Sequence, residues 1–398
     1  MKTNIGVFFG GRSTEHEISV ISANQAMAAI DRSRFDVTPI YITKDGKWYT
    51  GDALTDVANF RDIPALLARC TSVYMRPLYG DYNLYHERKG LFGKTNVETV
   101  STLDVVIPVL HGSNGEDGTF QGVLQSTGIP FAGCDVLSSA NGMDKITMKM
   151  ILAADGIPVV DYVWFTDKQW FADRDKLVAK IEDKLGYPVI IKPANLGSSV
   201  GISRADDRDA LIRKVSEAEK YSTRIIVEHL VEQLQEINCS VLGNCDEYRT
   251  SVLEEPIKSG EILSYQDKYM GGSKTSKGMQ ASKKRIPADL PEDMTKRIQF
   301  LAGETFRVLG CHGVSRVDMI VDRKDNSIYV NEINTIPGSL SFYLWEATGL
   351  SFDKLMSELV SLALKRKRDS GLKTVSYDQN IFSMGGGVKG AKGTKGIK

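Results

Sequence analysis

Along the chain the spacing of hydrophobic positions changes period. Short, largely apolar runs at 5–9, 35–42 and 104–110 read as strands, the first of them buried. The first run ends in the turn Gly10-Gly11, and residues 13–30 then follow a helical pattern behind several capping candidates. Strands alternating with helices predict an open, mostly parallel α/β sheet over the first third of the chain. Ligands collect at the carboxyl ends of such strands, where two glycine-bearing loops lie, at 10–19 and 111–118.

A helix over 138–154, stopped by Asp155-Gly156-Ile157-Pro158, opens a second region. Strands at 159–165, 188–192 and 200–203 and a helix at 208–221 predict a separate small α/β lobe, with the apolar strand 224–230 leading away from it as a hinge. Strands at 236–241 and 250–257, a polar glycine- and lysine-rich loop at 271–284, a helix at 291–309 and a last helix at 352–368 follow. The pattern divides the chain at 1–135, 136–230 and 231–370. From 371 to 398 it fades into a Gly/Lys tail, expected to be flexible because it has no apolar surface to bury.

Between those last helices lie two strand-like runs, Gly-Val-Ser-Arg-Val-Asp-Met-Ile-Val-Asp at 313–322 and Ile-Tyr-Val-Asn-Glu-Ile-Asn at 328–334. Side chains alternate faces along a strand, so Arg316 shares a face with Asp318, and Glu332 with Asn334. Paired as a hairpin across 323–327, the runs bring two carboxylates and a carboxamide beside one guanidinium. That donor set is all oxygen and suits a hard cation such as Mg²⁺. Either run alone reads first as an amphipathic strand with a solvated face.

At 398 residues the chain has room for two or three domains, and its formal net charge of zero implies no global attraction to nucleic acid or anionic membrane. Cys70, Cys134, Cys239, Cys245 and Cys311 are scattered, without paired Cys/His spacing, which favours reduced thiols over a disulfide or zinc framework. The N-terminal apolar stretch is too short for a signal peptide and reads as a first strand, and no run reaches membrane-spanning length.

Familiar phosphate signatures are absent. Gly93-Lys94-Thr95 resembles the end of a P-loop, but the glycine required upstream is Arg88. The stronger candidate is Ile190-Ile191-Lys192-Pro-Ala-Asn-Leu-Gly197-Ser198-Ser199-Val-Gly201, where a strand delivers Lys192 and small residues let backbone N–H groups approach a polyphosphate. It reads otherwise as a hairpin turn. His111-Gly-Ser-Asn-Gly-Glu116-Asp-Gly118 is dense in glycine after a buried strand, and His111 fits either a ligand contact or a structural histidine. Glu15 and Glu17 either favour the start of a helix or hold a substrate ammonium.

Taken together, Gly10-Gly-Arg-Ser-Thr-Glu-His-Glu-Ile-Ser, His111-Gly-Ser-Asn-Gly-Glu-Asp-Gly, Met143-Asp-Lys, Lys192-Pro with Gly197-Ser-Ser-Val-Gly, Gly313-Val-Ser-Arg-Val-Asp and Asn331-Glu-Ile-Asn-Thr-Ile-Pro-Gly resemble the D-alanine–D-alanine ligases of the ATP-grasp superfamily, over roughly residues 3–366. The resemblance implies a three-lobed ATP-grasp fold whose N-terminal domain is an open parallel α/β unit. It implies an ATP-dependent carboxylate–amine ligase of peptidoglycan precursor synthesis, cytoplasmic and homodimeric, with no nucleic-acid or membrane partner. It would use ATP and two Mg²⁺ ions, with Mn²⁺ as a substitute.

By the same resemblance Asp318, Glu332 and Asn334 hold the metal, Lys149 and Lys192 contact ATP phosphates, and Ser199 covers them. Glu228 and Glu236 meet adenine and ribose. Glu15 binds the ammonium of the first D-alanine, with His111 nearby, and Arg316 and the Gly338 N–H stabilise the oxyanion. Lys268 and Tyr269 close over the site, Tyr269 being linked through Ser198 to Glu15, and a tyrosine there fits D-alanine as acceptor. Two departures stand out. The loop after Tyr269 is long and basic, and the segment after Gly338 is shortened to Ser339-Leu-Ser341-Phe-Tyr-Leu-Trp345. Either Ser341 or Ser339 then meets the carboxylate of the second amino acid, which leaves D-alanyl-D-serine or another dipeptide or depsipeptide as the alternative product.

Overall fold

The computed structural model describes residues 2–90, 95–197, 201–257 and 284–376. Ser198, Ser199, Lys268 and Tyr269, most of the 271–284 loop and the tail beyond 376 lie outside the described residues.

In the N-terminal lobe, β1 (Thr3–Gly10) pairs in parallel with β2 (Phe35–Ile42) on one side and, across the sheet, with a later strand, Val105–Val109. Two short strands, β3 (Trp48–Thr50) and β4 (Thr71–Val73), extend the far edge antiparallel. β5 (Asn83–Lys89) and β6 (Thr95–Thr102) form a separate hairpin before β7 (Val105–Val109). Ile5, Val7 and Phe9 are fully buried because α1 (His16–Ala29) packs over the sheet with Val20, Ala23, Ala26 and Met27 inward, while Phe8 is buried on the other face against Phe120 and Leu124. Gly10 ends β1 at φ +90, where a Cβ would sit 2.3 Å from the Ile42 carbonyl oxygen, so the turn admits only glycine. A short helix, α2 (Ile63–Leu67), and α3 (Thr119–Thr127) complete the lobe.

The helix expected over 138–154 is two helices, α4 (Val136–Met143) and α5 (Lys145–Ala154). Asp144 breaks it: the residue is extended (φ −87, ψ 105), and its side chain accepts from Thr147 N–H at 2.8 Å, a cap that restarts the helix in a new direction. The next sheet runs in the order β10 (Ser203–Ala205), β9 (Val189–Pro193), β11 (Arg224–His229), β8 (Tyr162–Thr166), all antiparallel. The segment expected to be a hinge is therefore an interior strand, bonded on both edges and buried from Ile225 to Glu228. α7 (Arg208–Ala218) and an unforeseen helix, α6 (Asp167–Lys184), cover the sheet. α6 buries only Trp170, Val178 and Ile181, too sparse an apolar stripe to announce it.

The third sheet has the order β14 (Lys284–Arg285), β13 (Tyr248–Pro256), β12 (Leu234–Gly243), β15 (Gly313–Asp322), β16 (Ser327–Asn334). The helix Glu292–Val308 packs on it through Ile298, Leu301, Ala302 and Phe306. The last helix, Phe352–Gly371, turns back to the N-terminal lobe, where Leu355, Met356, Leu359 and Val360 join Val7, Phe9, Val20 and Ala23 in one core. That helix is thus locked to the N-terminal lobe, with the central sheet as the third body. Among the described residues no helix is long and apolar enough to cross a membrane.

Candidate functional site

The 313–334 runs form the expected hairpin. Arg316 lies opposite Asn334 and Asp318 opposite Glu332, while on the other side of β15 Asp318 faces Asn238 and Arg316 faces Ser240. Partners across adjacent strands share a face, so the four residues form one polar patch. Within it Arg316 chelates Asp318, Nε to Oδ1 at 2.6 Å and Nη2 to Oδ2 at 2.8 Å, and Asn334 Nδ2 donates to Asp318 Oδ2 at 3.0 Å. Burial opposes the Arg316 charge, but Asp318 more than offsets it and holds the guanidinium ionised. Glu236, two residues before Asn238 on β12, looks out from the same face.

Strict alternation fails at one residue of β16. The register passes from Asp318↔Glu332 to Met319↔Val330, leaving Asn331 as the extra residue of a β-bulge. Asn331 Oδ1 thereby receives the Lys192 ammonium at 3.0 Å, tying β9 of the central lobe to β16.

Lys192 also donates to Glu228 Oε2 at 2.6 Å, and Lys149 pairs with Glu228 Oε1 at 3.2 Å. All three are buried. Burial alone would raise the Glu228 pKa, yet the two ammonium groups outweigh it and hold the carboxyl down to about 2. The pKa of Lys149, which has no exposed surface, is lowered as well, burial outweighing the pull of Glu228. Lys145, just after the Asp144 break, contacts Glu332 Oε2 at 3.1 Å and donates to the Leu196 carbonyl at 2.8 Å. Arg224 Nη1 reaches Asp144 Oδ2 at 2.6 Å and fixes the break itself. Three lysines from two elements therefore converge between the second and third sheets, a cradle for polyanion charge.

From the N-terminal lobe come Glu15, His111 and Glu116. Glu15 lies against the glycine loops: a Cβ on Gly112 would stand 2.5 Å from Glu15 Oε2, and one on Gly197 3.0 Å. Glu116 is buried and accepts from Gly112 N–H at 2.8 Å and Ile336 N–H at 3.0 Å. Burial and the neighbouring Glu15 charge push its pKa up to about 8 against those two donors. His111 bonds through Nδ1 to the Ile336 carbonyl and through Nε2 to the Ser22 hydroxyl, each at 2.9 Å. Burial lowers its pKa to about 4, so the ring is neutral. Glu15, Glu116, Lys145, Gly197, Glu332 and Asn334 are among the residues around a small cleft of about 30 Å³ where the three lobes meet. A wider groove of about 610 Å³ along edge strand β8, past Tyr162, Trp164, Lys180 and Lys184, contains none of these groups.

Beyond Gly338 the chain takes a 3₁₀ turn, Gly338–Ser341, in which Ser339, Leu340 and Ser341 have φ of 52, 53 and 51. Ser339 Oγ donates to Gln25 Oε1 at 2.6 Å, whereas the fully buried Ser341 Oγ has no hydrogen-bond partner among the described residues. Lys145, Glu116 and Asn331 had been given no role from the sequence. All three sit inside motifs already singled out, but nothing in the pattern announces the bulge that aims Asn331.

Two antiparallel sheets facing each other across a lysine–carboxylate cluster, with an α/β lobe closing one end, define an ATP-grasp fold with a ligase-type site. The family model for the D-ala D-ala ligase N-terminus matches residues 4–134, and that for the D-ala D-ala ligase C-terminus matches 151–361. The chain belongs to the D-alanine–D-alanine ligase family. It is 41% identical to the D-alanine–D-alanine ligase of Acetivibrio thermocellus over 378 residues, covering 93% of this chain and 98% of that one. Against the same enzyme of Caldicellulosiruptor bescii it is 41% identical over 386 residues, covering 95% and 99%. Among solved structures it superposes on the D-alanine–D-alanine ligase of Coxiella burnetii with TM-score 0.75 and 29% identity, covering 93% and 96% of the two chains. The VanG D-Ala:D-Ser ligase of Enterococcus faecalis gives TM-score 0.76 and 33% identity, covering 91% and 100%.

Proposed function

We infer that this enzyme joins two D-alanine molecules into D-alanyl-D-alanine at the expense of ATP, supplying peptidoglycan precursor synthesis. The observation that carries the reading is the convergence of Lys149, Lys192 and Glu228 with the Arg316–Asp318–Glu332–Asn334 patch, beside a carboxylate pocket from the N-terminal lobe.

In this reading Lys149 and Lys192 neutralise the ATP phosphates, and Glu228 keeps both ammonium groups oriented before nucleotide arrives. Glu228 and Glu236 lie at the adenine and ribose end, and Ser199 covers the phosphates. Asp318, Glu332 and Asn334 fit Mg²⁺: their donors are oxygen, they share one face, and two are carboxylates. Among the described residues no three His, Cys, Asp or Glu groups suffice for a metal by themselves, so the Asn334 carboxamide and phosphate oxygens would complete the set. Two Mg²⁺ ions, or Mn²⁺ in their place, would neutralise charge on the transferring phosphoryl group.

Glu15 receives the ammonium of the first D-alanine, whose carboxylate oxygen takes the γ-phosphoryl group of ATP. Glu116 stays protonated beside Glu15 at neutral pH and holds the Gly112 and Ile336 amides in place. The amine of the second D-alanine then attacks the acyl carbon. Arg316 and the Gly338 N–H stabilise the tetrahedral oxyanion, and phosphate leaves. His111, with both ring nitrogens engaged, orients the Ile336–Gly338 backbone. Ser198, Lys268 and Tyr269 complete the closed site by family resemblance. Of the two serines left open by the sequence, Ser341 is favoured for the second carboxylate, because the Ser339 hydroxyl is engaged by Gln25 while that of Ser341 has no partner among the described residues.

ATP-dependent phosphate release with D-alanine alone, the product identified by mass, tests the reading, and absence of turnover overturns it. A panel of D-serine, D-lactate and L-amino acids as acceptor tests the D-alanyl-D-serine alternative raised by the short turn after Gly338. A cytoplasmic homodimer with lobes at 1–135, 136–230 and 231–370 is the assembly we propose, checked by fractionation and sedimentation.

A further inference from the structure

Helix α1 grips the turn after the hairpin through a closed path of hydrogen bonds. The Ile336 carbonyl can only accept, so His111 Nδ1, 2.9 Å away, carries the proton and donates to it. In the neutral ring Nε2 is then the acceptor, and its donor at 2.9 Å is the Ser22 hydroxyl. Ser22 Oγ in turn accepts the Ser339 N–H at 2.9 Å. One helical turn along the same face, Gln25 Oε1 accepts the Ser339 O–H at 2.6 Å. The path leaves the backbone at Ile336 and returns at Ser339, bracketing Pro337-Gly338.

What it brackets is strained. Ser339, Leu340 and Ser341 lie successively at φ 52, 53 and 51, and a non-glycine residue held there costs of order 1–3 kcal/mol. Such a run persists only where its surroundings over-determine it. Leu340, 3% exposed, is packed into the core that also holds Val20, Ala23 and Met27 of α1, so apolar burial and the Ser22 and Gln25 bonds act together. Relaxing the turn would swing the Gly338 amide and the Ser341 hydroxyl out of register with Arg316.

We propose that Ser22 and Gln25 are positioning residues for the second amino acid, holding the Ser339–Ser341 turn left-handed so that Gly338 N–H and Ser341 Oγ meet the acceptor. The proposal rests on the reading of Gly338 and Ser341 given above. Neither Ser22 nor Gln25 touches the reacting atoms; they act through the turn.

The test uses Ser22→Ala and Gln25→Leu in the full chain. D-alanine saturation is resolved into its first-site and second-site constants, alongside KM for ATP and the thermal midpoint. Each variant is expected to raise the second-site KM roughly tenfold, the scale on which a sub-ångström misplacement acts. The first-site and ATP constants should stay within about twofold of the parent. A lower thermal midpoint with every kinetic constant unchanged makes both residues merely structural and overturns the proposal, as does an equal rise in all three constants. Ser341→Ala is measured in parallel. If it raises the second-site KM while the other two do not, the positioning role alone fails; if none of the three does, the reading of the acceptor turn fails with it. Should Ser22→Ala not fold, Gln25→Leu, at a half-buried position, decides.

Discussion

Arg316 and Asp318 sit two residues apart on one strand face, and without substrate they satisfy each other. In the proposed mechanism their tasks separate, Asp318 toward the metal and Arg316 toward the oxyanion. Arg316→Ala is expected to lower kcat by roughly 10²-fold or more, as loss of one oxyanion donor does; wild-type turnover would break the assignment. Glu332→Gln should abolish phosphate release, measured under saturating ATP and D-alanine. Glu228 has a different weight, since removing one partner of a buried ion pair leaves charge uncompensated. Glu228→Ala should lose about 3–5 kcal/mol in urea unfolding, and retention of full stability would show that Lys149 and Lys192 do not depend on it.

Glu116 gives a pH signature. The folded chain keeps its proton up to about pH 8, while the unfolded chain releases it near the ordinary value of 4.5. Between those values the folded state binds more protons, so this residue's contribution to stability falls as pH rises across the window. Urea midpoints between pH 5 and pH 8 for wild type and Glu116→Ala check this, the variant being expected to show the shallower decline.

Among the elements, those with dense apolar patterning were legible and those defined by a local interruption were not. β1, β2 and the 313–334 hairpin follow from continuous or alternating runs. The break at Asp144 was hidden because both sides keep a helical pattern; it becomes visible only when Arg224 arrives from β11 to hold the Asp144 carboxylate. β11 was misread as a hinge because its apolar run, Ile225–Val227, shows that it is buried but not what buries it. Glycine at a loop is the converse, a backbone requirement that protects a side chain. Gly112 has φ +72 and leaves Glu15 Oε2 its space, so Gly112→Ala should raise the first-site KM for D-alanine more than KM for ATP, measured in the same assay.

At the scale of the whole molecule, the site is assembled from three bodies whose mutual placement is fixed by packing rather than by ligand. The last helix and α1 share one hydrophobic core, and His111, Glu116 and Ser22 reach 220 or more positions along the chain to hold the 336–339 backbone. ATP bound across the cluster should therefore stabilise the fold by mass action, about 2.7 kcal/mol at a hundred times its Kd. Thermal shift with and without nucleotide measures this. Chelation of divalent ions should abolish turnover while leaving the circular dichroism spectrum unchanged, since apolar clusters and not metal hold the described lobes together.

The sequence by itself determined the α/β class, the paired strands and the oxygen-rich face of Asp318, Glu332 and Asn334, because alternation along a strand is a local property of the backbone. It also marked Lys192, Glu15 and His111 as candidates through their glycine-bearing neighbours. Only the tertiary structure decided what those groups do to one another. Glu228 became the counter-charge of two lysines, Asn331 was turned inward by a bulge, and His111 became a clamp on Ile336. The physical reason is range: periodicity reports which face a side chain takes, whereas pKa, strain and partnership depend on groups that arrive from hundreds of residues away.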